Sequence, residues 1–196
     1  SDLAGEVVRG YAVTRLGAAR AWLEPLQRAK FFDYVESDGL LKFVVRGGDE
    51  IVDIPFRDLA RDGEESADVT IVRGQEAELP KRVTIRFSNP QWDYQESSES
   101  AERQITSATE HQSIEIPVAM LPDEAAAVAE LTLYESHANS NRISWATGRK
   151  YAAYEPLDIV AVNSRHGNRY VVQVRQKTES GGLIRWDGVQ TEVTAF

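Results

Sequence analysis

From Lys81 to Phe87, apolar and polar side chains alternate: Val83, Ile85 and Phe87 fall on one side, Arg82, Thr84 and Arg86 on the other. A repeat of two predicts a strand with one face buried. Asn89-Pro90 ends it, because proline has no amide to give a ladder. Trp92, Asp93 and Tyr94 follow, with Glu96, Glu99 and Glu102 among serines, a pattern that predicts an exposed acidic loop or short helix. Upstream the period changes. Leu16, Ala19, Leu23 and Leu26 recur at helical spacing and define one apolar stripe. Pro25 sits inside that stripe and is expected to kink the helix or shorten its last turn, since it removes an amide donor. Residues 31–36 and 40–45 read as two strands joined by Ser37-Asp38-Gly39, where Asp-Gly between branched and aromatic residues signals a hairpin. Gly47-Gly48 closes it, and Ile51, Ile54 and Phe56 predict one more short strand.

Downstream, residues 113–118 read as a strand that leads to Leu121-Pro122-Asp123-Glu124. Proline and two acids suit a helix start, where the dipole favours negative charge. The helix is expected to continue over 125–137, with Val128, Leu131 and Tyr134 on one face. Residues 142–147, 158–162, 170–176 and 183–189 read as strands, the last two joined by a turn over 178–182. The fold class expected is α+β. Residues 1–59 would form a small helix-plus-antiparallel-sheet unit, and residues 60–78, acidic and broken by Gly63 and Gly74, a surface linker. Residues 79–196 would form a β-barrel or sandwich-like unit with one flanking helix.

Three segments carry a resemblance. In residues 79–104, Leu79-Pro80 opens the strand, then Asn89-Pro90 and Asp93-Tyr94-Gln95 precede a Ser/Ala/Arg tail. Residues 14–48 hold Leu23-Glu24-Pro25-Leu26, then Phe32, Asp33, Val35 and Glu36, then Gly39, Leu41 and Phe43. Residues 114–162 hold a strand ending at a proline, a helix opening on Asp123-Glu124-Ala125, and Glu155-Pro156-Leu157-Asp158-Ile159-Val160 behind a tyrosine. In order and spacing these resemble a large family of phage tail proteins, the hub or tail-tip proteins of long-tailed phages and gene transfer agents. The resemblance runs from the first helix to the C-terminus. It implies a structural protein of a virion or phage-like particle, made in the bacterial cytoplasm, that joins the tail tube to the distal tip. It further implies a homo-oligomer, a trimer in the family, with other tail proteins as partners and the host envelope touched only indirectly. Some relatives carry a glycosidase-like domain elsewhere in the polypeptide, but nothing in these residues matches one.

Composition bounds the function from the other side. The 196 residues are 42% hydrophobic and 27% charged, enough for a sizeable core. No apolar run approaches the roughly 20 residues that span a bilayer. No basic segment followed by an apolar one opens the chain, so no signal peptide is expected. Ser1, with Met120 as the one methionine, leads to the expectation of a piece of a longer polypeptide or a processed product. The absence of cysteine excludes disulfides, thiolate metal sites and cysteine nucleophiles.

The net charge is −9, and both halves are acidic: 10 Lys/Arg against 16 Asp/Glu over residues 1–78, and 12 against 15 over 79–196. Phosphate-gripping surfaces are basic, so DNA is expected to pass without specific binding. An acidic lumen would let it slide.

No constellation suggests chemistry. His111, His137 and His166 lack ligand spacing, Gly-x-Ser-x-Gly is absent, and Gly47-Gly48 and Gly181-Gly182 read as turns, not phosphate cradles. Neither enzyme activity nor a cofactor or metal is expected. Trp145 and Trp186 fall on apolar strand faces and are expected in the core. Trp92, Asp93, Tyr94 and Gln95 are the candidate contact with a neighbouring subunit, because Trp and Tyr carry interface energy disproportionately. The alternative function is a carbohydrate or cell-wall module at a tail tip, binding or hydrolysing, since exposed aromatics also serve as stacking platforms.

Overall fold

The computed structural model describes residues 3, 7–13, 16–37, 39–48, 52–61 and 68–191. Expectations at Asp38, Ile51 and Gly63 lie outside the described residues, as does 62–67 of the expected linker. Two compact units emerge, each built from separated stretches: Ser1–Arg46 with Glu76–His137, and Gly47–Gln75 with Ala138–Phe196.

The first unit contains helix α1 (Ala19–Lys30), a hairpin of β1 (Phe32–Ser37) and β2 (Leu40–Val45), and helix α2 (Pro122–Ala138). Its three-stranded sheet has the order β6-β5-β7, from β5 (Pro80–Asn89), β6 (Gln95–Glu102) and β7 (Glu110–Ala119). β5 runs antiparallel to β6 and parallel to β7. The period-two pattern does what it predicts: Val83, Ile85 and Phe87 are buried, and they pack with Ile116 and Val118 of β7.

Both helices close over this core. α1 places Ala29 in it, with Leu26 packed alongside, and it continues past Pro25 to Lys30. Leu16, expected on its stripe, precedes the helix and is fully exposed. α2 buries Ala125, Val128, Ala129 and Leu133, whereas Tyr134 of the expected stripe is 39% exposed and Leu131 only partly buried. The face is turned because small alanines, uninformative by size, take the closest positions against the sheet. Its start is as expected: Pro122 and two acids open it, and Glu124 Oε2 accepts from the Leu121 amide at 2.8 Å, satisfying an orphan donor.

In the second unit one sheet has the order β3-β9-β10-β11-β8-β4. Its strands are β3 (Val52–Ile54), β4 (Val69–Val72), β8 (Arg142–Gly148), β9 (Ile159–Asn163), β10 (Arg169–Ser180) and β11 (Leu183–Gln190). All neighbours are antiparallel except β3 with β9. β10 and β11 are longer than expected, and only Gly181-Gly182 separates them. Both glycines take positive φ, 63° and 84°, which a two-residue hairpin with right-twisted strands demands. Trp145 and Trp186 face each other across β8 and β11 and stack with centroids 6.2 Å apart, in the core as expected. Trp186 Nε1 donates to Thr147 Oγ1 at 2.8 Å.

The chain is therefore α+β, as expected. Its sheets are open and sandwich-like; the edges β3 and β4 do not pair with each other, so no barrel closes among the described residues. The units cut the chain differently from the 1–59, 60–78 and 79–196 division. β3 and β4 both join strands that lie far downstream, and β4 falls inside the stretch 60–78.

Candidate functional site

Of the four residues singled out in the sequence, Trp92, Asp93 and Tyr94 lie in the turn between β5 and β6 and Gln95 opens β6. A short 3-10 turn, Pro90–Trp92, follows β5; proline suits its first position because the missing amide has no partner there anyway. Asn89 is buried and organises the turn from below. Its Oδ1 accepts from the Gln91 amide at 2.9 Å, and its carbonyl accepts from the Tyr94 amide at 2.9 Å. Asp93 and Tyr94 then adopt the left-handed conformation, φ 49° and 59°. Two consecutive non-glycine residues there carry a conformational cost that the surrounding hydrogen bonds hold in place. Gln95 resumes extended structure opposite Asn89.

The consequence is display. Trp92 is 66% exposed and Tyr94 61%, with Asp93 and Gln95 exposed beside them. The turn rests on ordered backbone: the Met120 amide donates to the Ser88 carbonyl at 3.1 Å, and the Ala119 amide to the Gly10 carbonyl at 2.7 Å. A Cβ on Gly10 would lie 3.9 Å from Tyr94 Cε1, so the residue 10 backbone runs close under the tyrosine.

The acidic stretch beyond the turn departs from expectation. It is neither loop nor helix but strand β6, held to β5 over eight residue pairs. Charge explains two of the three glutamates. Glu102 pairs with Arg82, and with Lys81 at 3.3 Å; these hydrogen bonds, Arg82 first, hold its carboxyl below the usual range. Arg86 lies 3.7 Å from Glu96 and 3.9 Å from Glu115. Cross-strand pairing thus made strand of a segment whose composition suggested loop.

A second polar cluster gave no sequence signal. Arg46, just past β2, makes a two-pronged contact to Asp33 (Nε–Oδ2 3.0 Å, Nη2–Oδ1 3.0 Å) and reaches Glu135 of α2 with Nη1 at 2.8 Å. Burial alone would lower the guanidinium pKa, but the hydrogen bonds and charges of the two acids outweigh it, and the pKa is raised. Arg46 and Glu135 border a cavity of about 230 Å³ that Phe31, Ile114 and Thr132 also line. The cluster ties hairpin to helix and is structural. Of the histidines, His137 donates from Nε2 to the Pro80 carbonyl at 2.9 Å, while His111 and His166 are exposed. No group of three or more His, Asp or Glu that could hold a metal occurs among the described residues.

Residues 18–176 match the family model described as "Putative phage tail protein", and the chain belongs to that family. Among solved structures, a chain of the virion of a native gene transfer agent particle is 27% identical, with a TM-score of 0.88; the match covers 96% of this chain and 42% of that one. A tail protein from Neisseria meningitidis MC58 is 10% identical with a TM-score of 0.64, over 94% of this chain and 58% of that one. The 43 kDa tail protein of prophage MuSo2 from Shewanella oneidensis is 11% identical with a TM-score of 0.59, over 93% and 57%. This chain thus spans 42–58% of the length of these proteins. No curated protein matches it. The chain is a phage-tail-type structural protein.

Proposed function

We propose that this chain is a tail-hub or tail-tip segment that assembles with copies of itself and with other tail proteins to connect the tube to the distal tip. The observation that carries the reading is the family match over residues 18–176 together with the virion chain that shares the fold at a TM-score of 0.88. The function is assembly rather than catalysis, and it needs no cofactor. A ring of copies, three by family resemblance, would leave a lumen for DNA, and a net charge of −9 favours passage over binding. The assembled particle would contact the host envelope through its other parts.

Trp92, Asp93, Tyr94 and Gln95 are the assigned contact with a neighbouring subunit. Two aromatic rings held outward on a pinned turn lose little freedom on docking, which favours them as anchors. Trp92→Ala and Tyr94→Ala are each expected to cost on the order of 2 kcal/mol at that contact, about 30-fold in association. Incorporation into purified particles, read by sedimentation and electron microscopy, should fall while the thermal midpoint of the isolated chain stays put. Unchanged incorporation would remove these residues from the interface. Binding of the chain to purified peptidoglycan, lost in the same variants, would favour a cell-wall module instead.

A further inference from the structure

Left-handed residues bracket the β1–β2 hairpin. Phe31, directly before it, takes φ 47°, and Gly47, one residue past Arg46, takes φ 79°. That conformation occurs at single residues that join elements, not within them. Residues at the ends of elements are also where the backbone absorbs a hinge motion. Between these two points the hairpin forms a two-stranded sheet of its own, held by six residue pairs and joined to neither larger sheet.

The side chains of the hairpin pack on one another. Phe43 meets Phe32 edge-on with centroids 5.7 Å apart, and Tyr34 with centroids 6.3 Å apart. None of these three joins the cluster around Val83, Ile85 and Phe87, whereas Phe31 does. The boundary between core and hairpin therefore falls between two consecutive phenylalanines. Arg46 belongs to the hairpin side, since Nε and Nη2 both bond Asp33 of β1. Its third nitrogen, Nη1, reaches Glu135 of α2 at 2.8 Å. At this root lies the cavity of about 230 Å³ bordered by Phe31, Arg46, Thr132 and Glu135. Close packing resists displacement, so a void at the base of an element leaves it room to shift.

We propose that the hairpin is a latched arm: residues 32–46 move as one body about Phe31 and Gly47, and the Arg46–Glu135 pair holds that body against α2. Release costs the arm none of its internal contacts, because the Asp33–Arg46 pair and the three aromatic rings all lie within it. It carries the exposed Leu40 and Leu41 of β2 along. A charge-assisted hydrogen bond suits a latch, being strong when aligned and lost over a small change of distance or angle. Two populations of one chain, closed and open, are the result, and the charge on Glu135 sets their ratio. The device is separate from the Trp92 and Tyr94 contact and does not depend on it.

The protein has no cysteine, so Leu40→Cys near the tip of the arm and Glu130→Cys on the exposed side of α2 define one spin-label pair. Double electron–electron resonance on the labelled chain should give a single narrow distance population. Glu135→Gln keeps the size of the side chain and removes its charge; a second, longer population should then appear, at least about tenfold above the parent. Hydrogen exchange of the unsubstituted chain in added denaturant is the independent measure, and it holds even where the variant folds poorly. Amides of β1 and β2 should exchange through an opening with a shallow denaturant slope, ahead of those of β5 and β7, which wait for the whole unit to unfold. A distance distribution indifferent to Glu135→Gln in a folded variant, or one denaturant slope shared by the hairpin and β5, overturns the proposal.

Discussion

Gly188 carries one of the tightest contacts in the second unit. A Cβ there would come within 2.4 Å of Val172 Cγ1 and 2.5 Å of the Gln173 carbonyl oxygen, beside the bulge between Val174 and Gln176 of β10. Gly188→Ala is therefore expected to destabilise by about 1–3 kcal/mol, read as a shift in denaturant midpoint without a change in slope. Nothing local marks this glycine, because the crowding comes from a strand whose register is decided by pairing. Val83, Ile85 and Phe87 are the opposite case: alternation alone names them as core, and burial follows. The turn residues stand between. Trp92 and Tyr94 were legible as displayed aromatics behind Asn89-Pro90, but not the left-handed backbone at both Asp93 and Tyr94, which depends on the bonds Asn89 makes.

Whole elements show where local signals compete with pairing. The serine- and glutamate-rich stretch after the turn has poor strand propensity, yet β5 recruits it as β6 by offering Arg82 and Arg86 across the ladder. The hairpin is fastened to α2 by Arg46, and Arg46→Met would leave Asp33 and Glu135 half-buried without it. A loss of about 3 kcal/mol is expected, measured by chemical denaturation. A second fastening responds to acid. Asp58, in the short turn after β3, accepts from Lys150 Nζ at 2.6 Å and from the Tyr151 hydroxyl at 2.7 Å; these bonds, that from Lys150 first, hold its carboxyl below the ordinary range. A carboxyl whose pKa is lower folded than unfolded contributes stability above the unfolded value of about 4 and loses it as pH falls through the folded value. Asp58→Asn should therefore lower the denaturation midpoint at pH 6 and converge on the parent protein at pH 2. A constant gap across that range would exclude the linkage.

Neither compact unit is a continuous piece of chain, and that governs how the protein can be divided. Residues 79–196 alone would lack α1, which supplies Ala29 to the first core, and both edge strands of the six-stranded sheet. Such a fragment is expected to keep secondary structure but give a poorly dispersed NMR spectrum and weak near-ultraviolet dichroism; sharp, dispersed signals would show that the missing elements are dispensable. The amino-acid order by itself determined the α+β class, most strands, both helices to within a few residues, the tryptophan pair in the core and the tail-protein family, because periodicity, turn chemistry and motif spacing are written within a few residues of where they act. Tertiary structure decided the rest: that β3 pairs as far downstream as Val52 with Val160 and β4 as far as Val69 with Trp145, flanking one sheet, that an acidic segment becomes β6, and that Arg46 meets two acids. Those outcomes depend on partners brought together only by closing long loops, where the gain lies in the contact formed and leaves no mark on the local pattern.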